Sequence, residues 1–238
     1  MENHNKKHPI LLTCIDTDGT RLREDGFKIE KHEIILASIS PPYELINFDD
    51  LLTTLKTGIK NNRYFFNKIP SKNICLQRLV SVPVISVHIN PILHDRRRML
   101  LSDAKIEQTF TFGSATYLIN NAPLKRGSGF ILAEALKFAE TIKPPSPLRE
   151  NTRQANVIVS AFTTMFNESC SQFLDDKNIP FLFTHRDGKV ILDCSSYRFG
   201  IFSHPLRDAA SLVNNMQLSF YLKHKEILFS KEFLERLI

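Results

Sequence analysis

The chain of 238 residues is 42% hydrophobic and 24% charged, which excludes a disordered, collagen-like or disulfide-scaffold protein and fits one large domain or two small ones. Lys and Arg total 31 against 25 Asp and Glu, a net charge of +6; this balance permits an anionic partner such as nucleic acid without requiring one. The four cysteines Cys14, Cys75, Cys170 and Cys194 are scattered, with no CxxC and no ligand-type spacing to histidine, so they read as reduced buried thiols and not as a zinc site or a disulfide framework.

Residues 1–7 are read as a flexible N-terminus, and the start MENHNKKHPILL lacks the long apolar core of a signal peptide. No apolar run approaches the roughly 18 residues of a membrane span, so the chain reads as soluble and cytoplasmic. Ile10–Asp16 is an apolar strand ending in the turn-rich Asp16-Thr17-Asp18-Gly19-Thr20. Phe27–Glu30 and Glu33–Ser40 follow as strands, the second stopped by Pro41-Pro42. Phe48–Lys60 is predicted to be a short helix, Val80–Ile89 a buried strand, and Met99–Phe112 a further strand with Thr109, Phe110, Thr111 and Phe112 at its end.

The period then changes. Gly129–Ile142 places Ile131, Ala135, Phe138 and Ile142 on one helical stripe, and Pro144-Pro145-Ser146-Pro147 is the linker candidate. Arg149–Lys177 carries Ile158, Phe162, Met165, Phe166 and Phe173 at helical spacings, which predicts a long helix. Phe181–Thr184 and Lys189–Leu192 flank the hairpin signal Arg186-Asp187-Gly188, and Pro205–Lys223 is predicted to be a helix capped by Ser203. Residues 8–120 are strand-rich and 128–238 helix-rich, so the expected fold is a single α+β domain over residues 8–238.

The acidic cluster Asp16, Asp18, Glu24 and Asp25 follows the first strand. Crowded carboxylates suit Mg²⁺, a hard cation that takes oxygen ligands, and two such ions clamp the attacking and leaving oxygens of a phosphodiester. A solvated acidic turn accounts for the same residues. Arg96, Arg97 and Arg98 are adjacent guanidiniums suited to phosphates, and equally to a charged surface turn; Lys125 and Arg126 are further candidate phosphate donors. Gly127-Ser128-Gly129 lacks the rest of a phosphate-binding fingerprint and reads as a helix start, while Ser203-His204 lacks an acidic partner and a GxSxG elbow.

Ser203-His204-Pro205-Leu206-Arg207 through Leu212 resembles the Thr-Ser-Pro-Leu-Arg-Arg-Tyr-x-Asp-Leu helix of the RNB catalytic domain of the ribonuclease II and ribonuclease R family. Phe199 matches an aromatic that the family often has upstream of that helix. Phe162–Cys170 is similar to its Phe-Met-Leu-Leu-Ala-Asn-Glu-Ala-Val helix, and Ile179-Pro180-Phe181-Leu182-Phe183 to its Ile-Pro-x-Leu-Tyr strand. Ile15–Asp25 is similar to its acidic motif Ile-Asp-Pro-x-x-Ala-Arg-Asp-Leu-Asp-Asp, and Ala37–Ser40 falls where the family has Ala-Asp-Val-Ser/Ala.

The resemblance implies a curved mixed sheet flanked by helices and Mg²⁺-dependent hydrolysis of single-stranded RNA from its 3′ end. It implies Asp16, Glu24 and Asp25 as metal ligands and Arg207 as the phosphate clamp. The family's four metal-binding Asp fall on Asp16, Leu22, Glu24 and Asp25, so one ligand is lost and one lengthened; Ser38 replaces a further Asp, and Asp208, Ala209 and Ser211 replace the usual Arg, Tyr and Asp. The expected function is therefore single-stranded RNA binding with exoribonuclease chemistry weakened or lost, the alternative being a non-catalytic module for RNA or protein. The family's flanking OB-fold and S1 modules have no counterpart in this sequence, and a partner protein is the expected source of OB folds.

Overall fold

Val, Ile and Leu in short alternating runs form the strands, because branched side chains fit a pleated, half-buried surface. In the computed structural model these are Ile10–Asp16 (β1), Asp25–Glu30 (β2), Glu33–Ile39 (β3), Val82–Ile89 (β4) and Arg97–Thr111 (β5). The structure describes residues 8–17, 19–20, 22–30, 33–41, 53, 55–57, 59, 75–90, 97–121, 127–142, 153–184, 190–192 and 200–238. Consecutive strands pair antiparallel from β1 to β5, and β5 returns to lie parallel to β1. The curved mixed sheet thus closes on itself as a barrel, which leaves no open edge.

Closure explains why β3 and β4 are buried along almost their whole length. Their side chains alternate between two apolar cores, as a period of two demands. Ala37, Ile39, Val82 and Val84 join Leu12, Cys14, Ala104 and Ile106 inside the barrel. Leu36, Ile85, Val87 and Ile89 face outward, under the helices. Gly26 lies where β2 passes close to β1: a Cβ there would meet Cys14 Sγ and Thr13 O at 3.0 Å.

The helices Phe112–Asn120 (α1), Ser128–Ile142 (α2) and Arg153–Asp175 (α3) cover the outer face. Phe27 of β2 meets Phe162 of α3 edge to face at 5.0 Å, an arrangement that aligns ring edge with ring face. The Phe112 expected in a strand instead opens α1, because Thr111 and Ser114 form a reciprocal capping box that satisfies two orphan N–H groups. The buried stripe of α2 is Leu132, Ala135, Phe138 and Ala139, rotated from the predicted one so that Ile131 and Ile142 sit at its margins.

Phe183–Thr184 (β6) and Val190–Ile191 (β7) pair antiparallel as the hairpin signal implies, although Arg186-Asp187-Gly188 lies outside the described residues, as do Phe199, Cys194 and the proline-rich linker candidate. Of the predicted Phe48–Lys60 helix, Thr53, Leu55, Lys56, Thr57 and Ile59 are helical, and Leu55 and Ile59 pack on Ala209–His224 (α4). The short helix Lys231–Glu235 (α5) lies beyond it, with Leu234 and the preceding Phe229 in the same core.

α4 is a correction to the predicted Pro205–Lys223 helix. It starts at Ala209 and is capped by Asp208, which accepts from the Ser211 N–H at 2.6 Å. Ser203 is not the cap. Pro205, Leu206 and Arg207 form a turn, because Leu206 is drawn into the barrel core and its N–H is held by Glu24. Cys14, Cys75 and Cys170 are buried and form no disulfide. Among the described residues no helix is long and apolar enough to cross a membrane.

Candidate functional site

One end of the barrel is closed by two segments far apart in sequence. The first runs from the end of β1 through Leu22, Arg23 and Glu24 into β2; the second runs from Gly200 to Asp208 and leads into α4. The second segment is held by buried polar side chains. Asn167 of α3 accepts the N–H groups of Phe202 (2.8 Å) and Ser203 (3.1 Å), and Ser171 accepts that of Gly200 at 2.8 Å. Ser38 of β3 donates to Ser203 O at 3.3 Å, and Ser211 accepts the His204 N–H at 3.1 Å. Satisfied polar groups of this kind fix a single chain path, since leaving any one unpaired is costly.

Gly200 is required by closeness alone: a Cβ there would meet Leu182 O at 2.5 Å and Asn214 Nδ2 at 3.0 Å. Gly200→Ala is expected to cost about 3 kcal/mol through this overpacking. The control is Gly113→Ala, whose Cβ would meet only Thr111 Oγ1 at 4.0 Å and which is expected to be neutral or slightly stabilising in α1. Urea melts of the two variants check the pair; equal midpoints would show that the Gly200 segment yields.

The path delivers Arg207 to Glu24. Glu24 is 1% exposed, and both of its carboxylate oxygens are taken by protein donors: Oε1 accepts the Leu206 N–H at 2.5 Å, and Oε2 accepts from Arg207 Nε. Arg207 Nη2 also donates to His204 Nδ1 at 2.9 Å. Burial, with the Arg207 charge second, pushes His204 down to about 4, so the imidazole is neutral near pH 7 and its Nδ1 is free to accept. The Arg207 side chain remains 42% exposed, so part of its guanidinium fork faces water.

Asp16 and Asp25 complete the cluster. The Asp16 carboxylate faces Arg23 Nε at 3.5 Å. Burial raises Asp16 to about 6, with Asp25 adding to the rise and Arg23 and Arg207 opposing it. Burial likewise raises Asp25 to about 6 against the pull of Arg207, and raises Glu24 to about 7 against Arg207 and the Leu206 N–H. Burial works to lower Arg207, but Glu24, Asp25 and Asp16 outweigh it and hold the guanidinium more firmly charged. The structure therefore brings together Asp16, Glu24, Asp25 and Arg207, and adds Arg23 and His204, which the sequence reading assigned no role here.

These shifts have a sign. Acids raised from 3.8 or 4.5 to about 6 or 7 bind more protons folded than unfolded, so stability falls as pH rises through that window. His204, lowered from 6.5 to about 4, acts in the opposite direction, as one group against three. The urea midpoint is expected to be higher at pH 5 than at pH 8, at constant ionic strength. A higher midpoint at pH 8 would mean that the acids are not buried together.

The donor set does not fit a pair of Mg²⁺ ions. Leu22 is partly buried against the barrel core, Glu24 has spent both oxygens, and Asp16 faces Arg23. Among the described residues no group of three or more His, Cys, Asp or Glu side chains is placed to hold a metal. Guanidinium charge stands where the resemblance implies cations. The cavity that reaches Asp25 is also small, about 40 Å³, and is walled by Phe27, Phe162 and Phe166. That volume holds a few waters.

Of the remaining candidates, the described Arg97 and Arg98 do not join this cluster. Asp16 pairs with Thr111 at one end of β5, whereas Arg97 and Arg98 pair with Ile89 and His88 at the other. Arg98 lies 3.5 Å from Glu33. Arg96, Lys125, Arg126 and Asp18 lie outside the described residues.

Solved structures share this architecture. An active-site mutant of the Dss1 exoribonuclease from Candida glabrata superposes with a TM-score of 0.69 at 13% identity, over 95% of this chain and 44% of that one. Mycoplasma genitalium RNase R in complex with ribose-methylated single-stranded RNA gives 0.69 at 10% identity, over 98% and 53%. The fold is RNB-like. Yeast Ssd1, described as a pseudonuclease, gives 0.67 at 8% identity, over 94% and 40%. The chain thus spans about half the length of these structures. No family model matches the sequence and no curated protein matches it.

Within this fold, the residues that sequence reasoning missed carry one recognisable signal. Asn167, Ser171, Ser211 and Asn214 are polar residues at core-facing helical positions, and all are buried. A polar residue at a core position marks a chain segment that needs its backbone satisfied.

Proposed function

We propose that the chain is an RNB-fold domain that binds single-stranded RNA without two-metal hydrolysis. The observation that carries this reading is Glu24: by resemblance it belongs to the metal motif, yet it is buried and holds Arg207 and the Leu206 N–H. Among the similar folds are RNase R with RNA bound and Ssd1, a pseudonuclease.

Binding rests on phosphate contacts. The half-exposed Arg207 and the net charge of +6 supply them, with Arg96, Arg97, Arg98, Lys125 and Arg126 as further donors. Affinity of this origin falls steeply with salt, because releasing condensed counterions gains less free energy as the bulk salt rises. A protein partner carrying OB folds would add the stacking surface that a strong single-strand site uses.

The test uses 3′-end shortening and binding on one probe, a 5′-labelled oligo(A). The expected result is salt-dependent binding and no shortening with added Mg²⁺ or Mn²⁺. Metal-dependent shortening that is lost in Asp25→Asn would overturn the non-hydrolytic reading. No binding at low salt would overturn the RNA reading and favour a protein-interaction module.

A further inference from the structure

His204 brings no charge to the cluster near pH 7, and it stands where the resembling motif has serine. Its place is nonetheless fixed from two sides. Its backbone N–H donates to Ser211 Oγ at 3.1 Å, and its carbonyl accepts the N–H groups of Arg207 and Asp208, each at 3.0 Å. Asp208 in turn accepts the Ser211 N–H and caps α4, a helix buried along most of its length. The turn is thus anchored to a rigid element, which is what a precisely placed side chain needs. It sets the imidazole beside the Arg207 guanidinium, with Nδ1 2.9 Å from Nη2.

Arginine only donates, so Nδ1 is the acceptor and the ring proton sits on Nε2. The guanidinium is thereby held at two points, Nε by Glu24 and one Nη2 proton by His204. One contact leaves its plane free to pivot, and two fix it. Among the described residues Nη1 meets no acceptor, and the second Nη2 proton is also left over, on a side chain that is 42% exposed. Paired protons of this kind on a guanidinium match two oxygens of one phosphate.

We propose that His204 is a positioning residue for phosphate: it holds Arg207 in the orientation in which the guanidinium meets one backbone phosphate of a single strand. This rests on the RNA-binding reading. Holding the arginine in place before the ligand arrives raises affinity without adding a charge, because the side chain loses less freedom on binding. Glu24 cannot do this alone, since it grips only Nε.

Fluorescence anisotropy of the 5′-labelled oligo(A) over a range of salt concentrations tests the role in the full chain. His204→Leu keeps the backbone bonds and removes the acceptor. It is expected to weaken binding about fivefold, with an unchanged slope of log affinity against log salt, since no phosphate contact is lost. His204→Asn returns an acceptor at the position of Nδ1 and is expected to restore most of the affinity. Arg207→Ala, by contrast, is expected to lower the salt slope by about 0.7, the share of one single-strand phosphate. Circular dichroism verifies that each variant is folded at the assay temperature. Without RNA, a long-range ¹H–¹⁵N spectrum at pH 7 is expected to show the His204 proton on Nε2.

Equal affinity of wild type and His204→Leu, a loss that His204→Asn does not recover, or a proton on Nδ1 overturns the positioning role. Wild-type binding with a salt slope that depends on Arg207 leaves the RNA reading standing in each of those cases. No wild-type binding at low salt removes the RNA reading, and the role of His204 falls with it.

Discussion

Replacing Glu24 by alanine is expected to destabilise the fold by about 3 kcal/mol, because removing one partner of a buried ion pair strands the other. Two features set the size. Glu24 holds two donors at once, the Leu206 N–H and Arg207 Nε, and both lose their acceptor. Arg207, however, is half-exposed, so water recovers part of its charge and keeps the loss at the lower end of the range for buried pairs. For a chain of this length the melting temperature is expected to fall by about 10 °C. Arg207→Ala is expected to cost less, about 2 kcal/mol, because burial already holds Glu24 at about 7 and the acid takes up a proton when its partner leaves. The double variant is expected to show a coupling of about 2 kcal/mol. Urea melts at pH 7.5 check the cycle. A Glu24→Ala variant within about 0.5 kcal/mol of wild type, the range of an ordinary surface change, would show that Glu24 is not a structural partner and remains available to a cation.

The same geometry decides whether the acidic motif can be rebuilt. Leu22→Asp returns a carboxylate but removes an apolar group from the rim of the barrel core. Glu24→Asp shortens the arm that spans Leu206 N–H and Arg207, so it loosens the segment that positions the arginine. The pair of changes therefore trades a structural contact for an incomplete ligand set, and metal-dependent hydrolysis is not expected from it.

Legibility in the sequence followed the range of the forces involved. The runs Ile10–Asp16 and Val80–Ile89 read as strands because continuous apolar, Val- and Ile-rich stretches express a local preference, although the second strand begins at Val82. The long helix through Ile158, Phe162, Met165 and Phe166 was readable from its stripe. Closure into a barrel was not, since the parallel return of β5 onto β1 is a long-range pairing without a local signature. The start of α4 was misread at Ser203 because a Ser-x-Pro pattern caps helices well, and only the burial of Leu206 in the barrel core explains why the chain turns there first. The convergence of Asp16, Asp25 and Arg207 was readable through resemblance at both ends of the chain. The direction of Glu24 was not: residue type gives a carboxylate's charge, whereas its partner is set by which backbone N–H the fold brings within reach.

Asn214→Asp tests that dependence with the largest single effect, a loss of about 4 kcal/mol at pH 8, since it buries a charge opposite two acceptors. Asn214 is fully buried. Its Oδ1 accepts the Leu182 N–H at 2.7 Å, and its Nδ2 donates to Leu182 O at 2.7 Å and to Ile201 O at 3.1 Å. One amide thus ties the chain leading into β6 to the segment that carries Ser203 and Arg207. Aspartate keeps the first bond, then sets an anionic oxygen against two carbonyls. Burial and those carbonyls push its folded-state pKa above the ordinary carboxylate range, so the variant's stability falls as pH rises through that window and recovers as pH is lowered. The introduced carboxyl, once protonated, restores one donor, whereas Asn214→Ala leaves all three backbone groups unpaired at every pH. The expected result is a stability difference from wild type that shrinks between pH 8 and pH 5 for Asn214→Asp and stays constant for Asn214→Ala. Equal losses at both pH values in the aspartate variant would mean that the segment swings clear of α4 and finds water, and Arg207 would then be free of the geometry that holds it on Glu24.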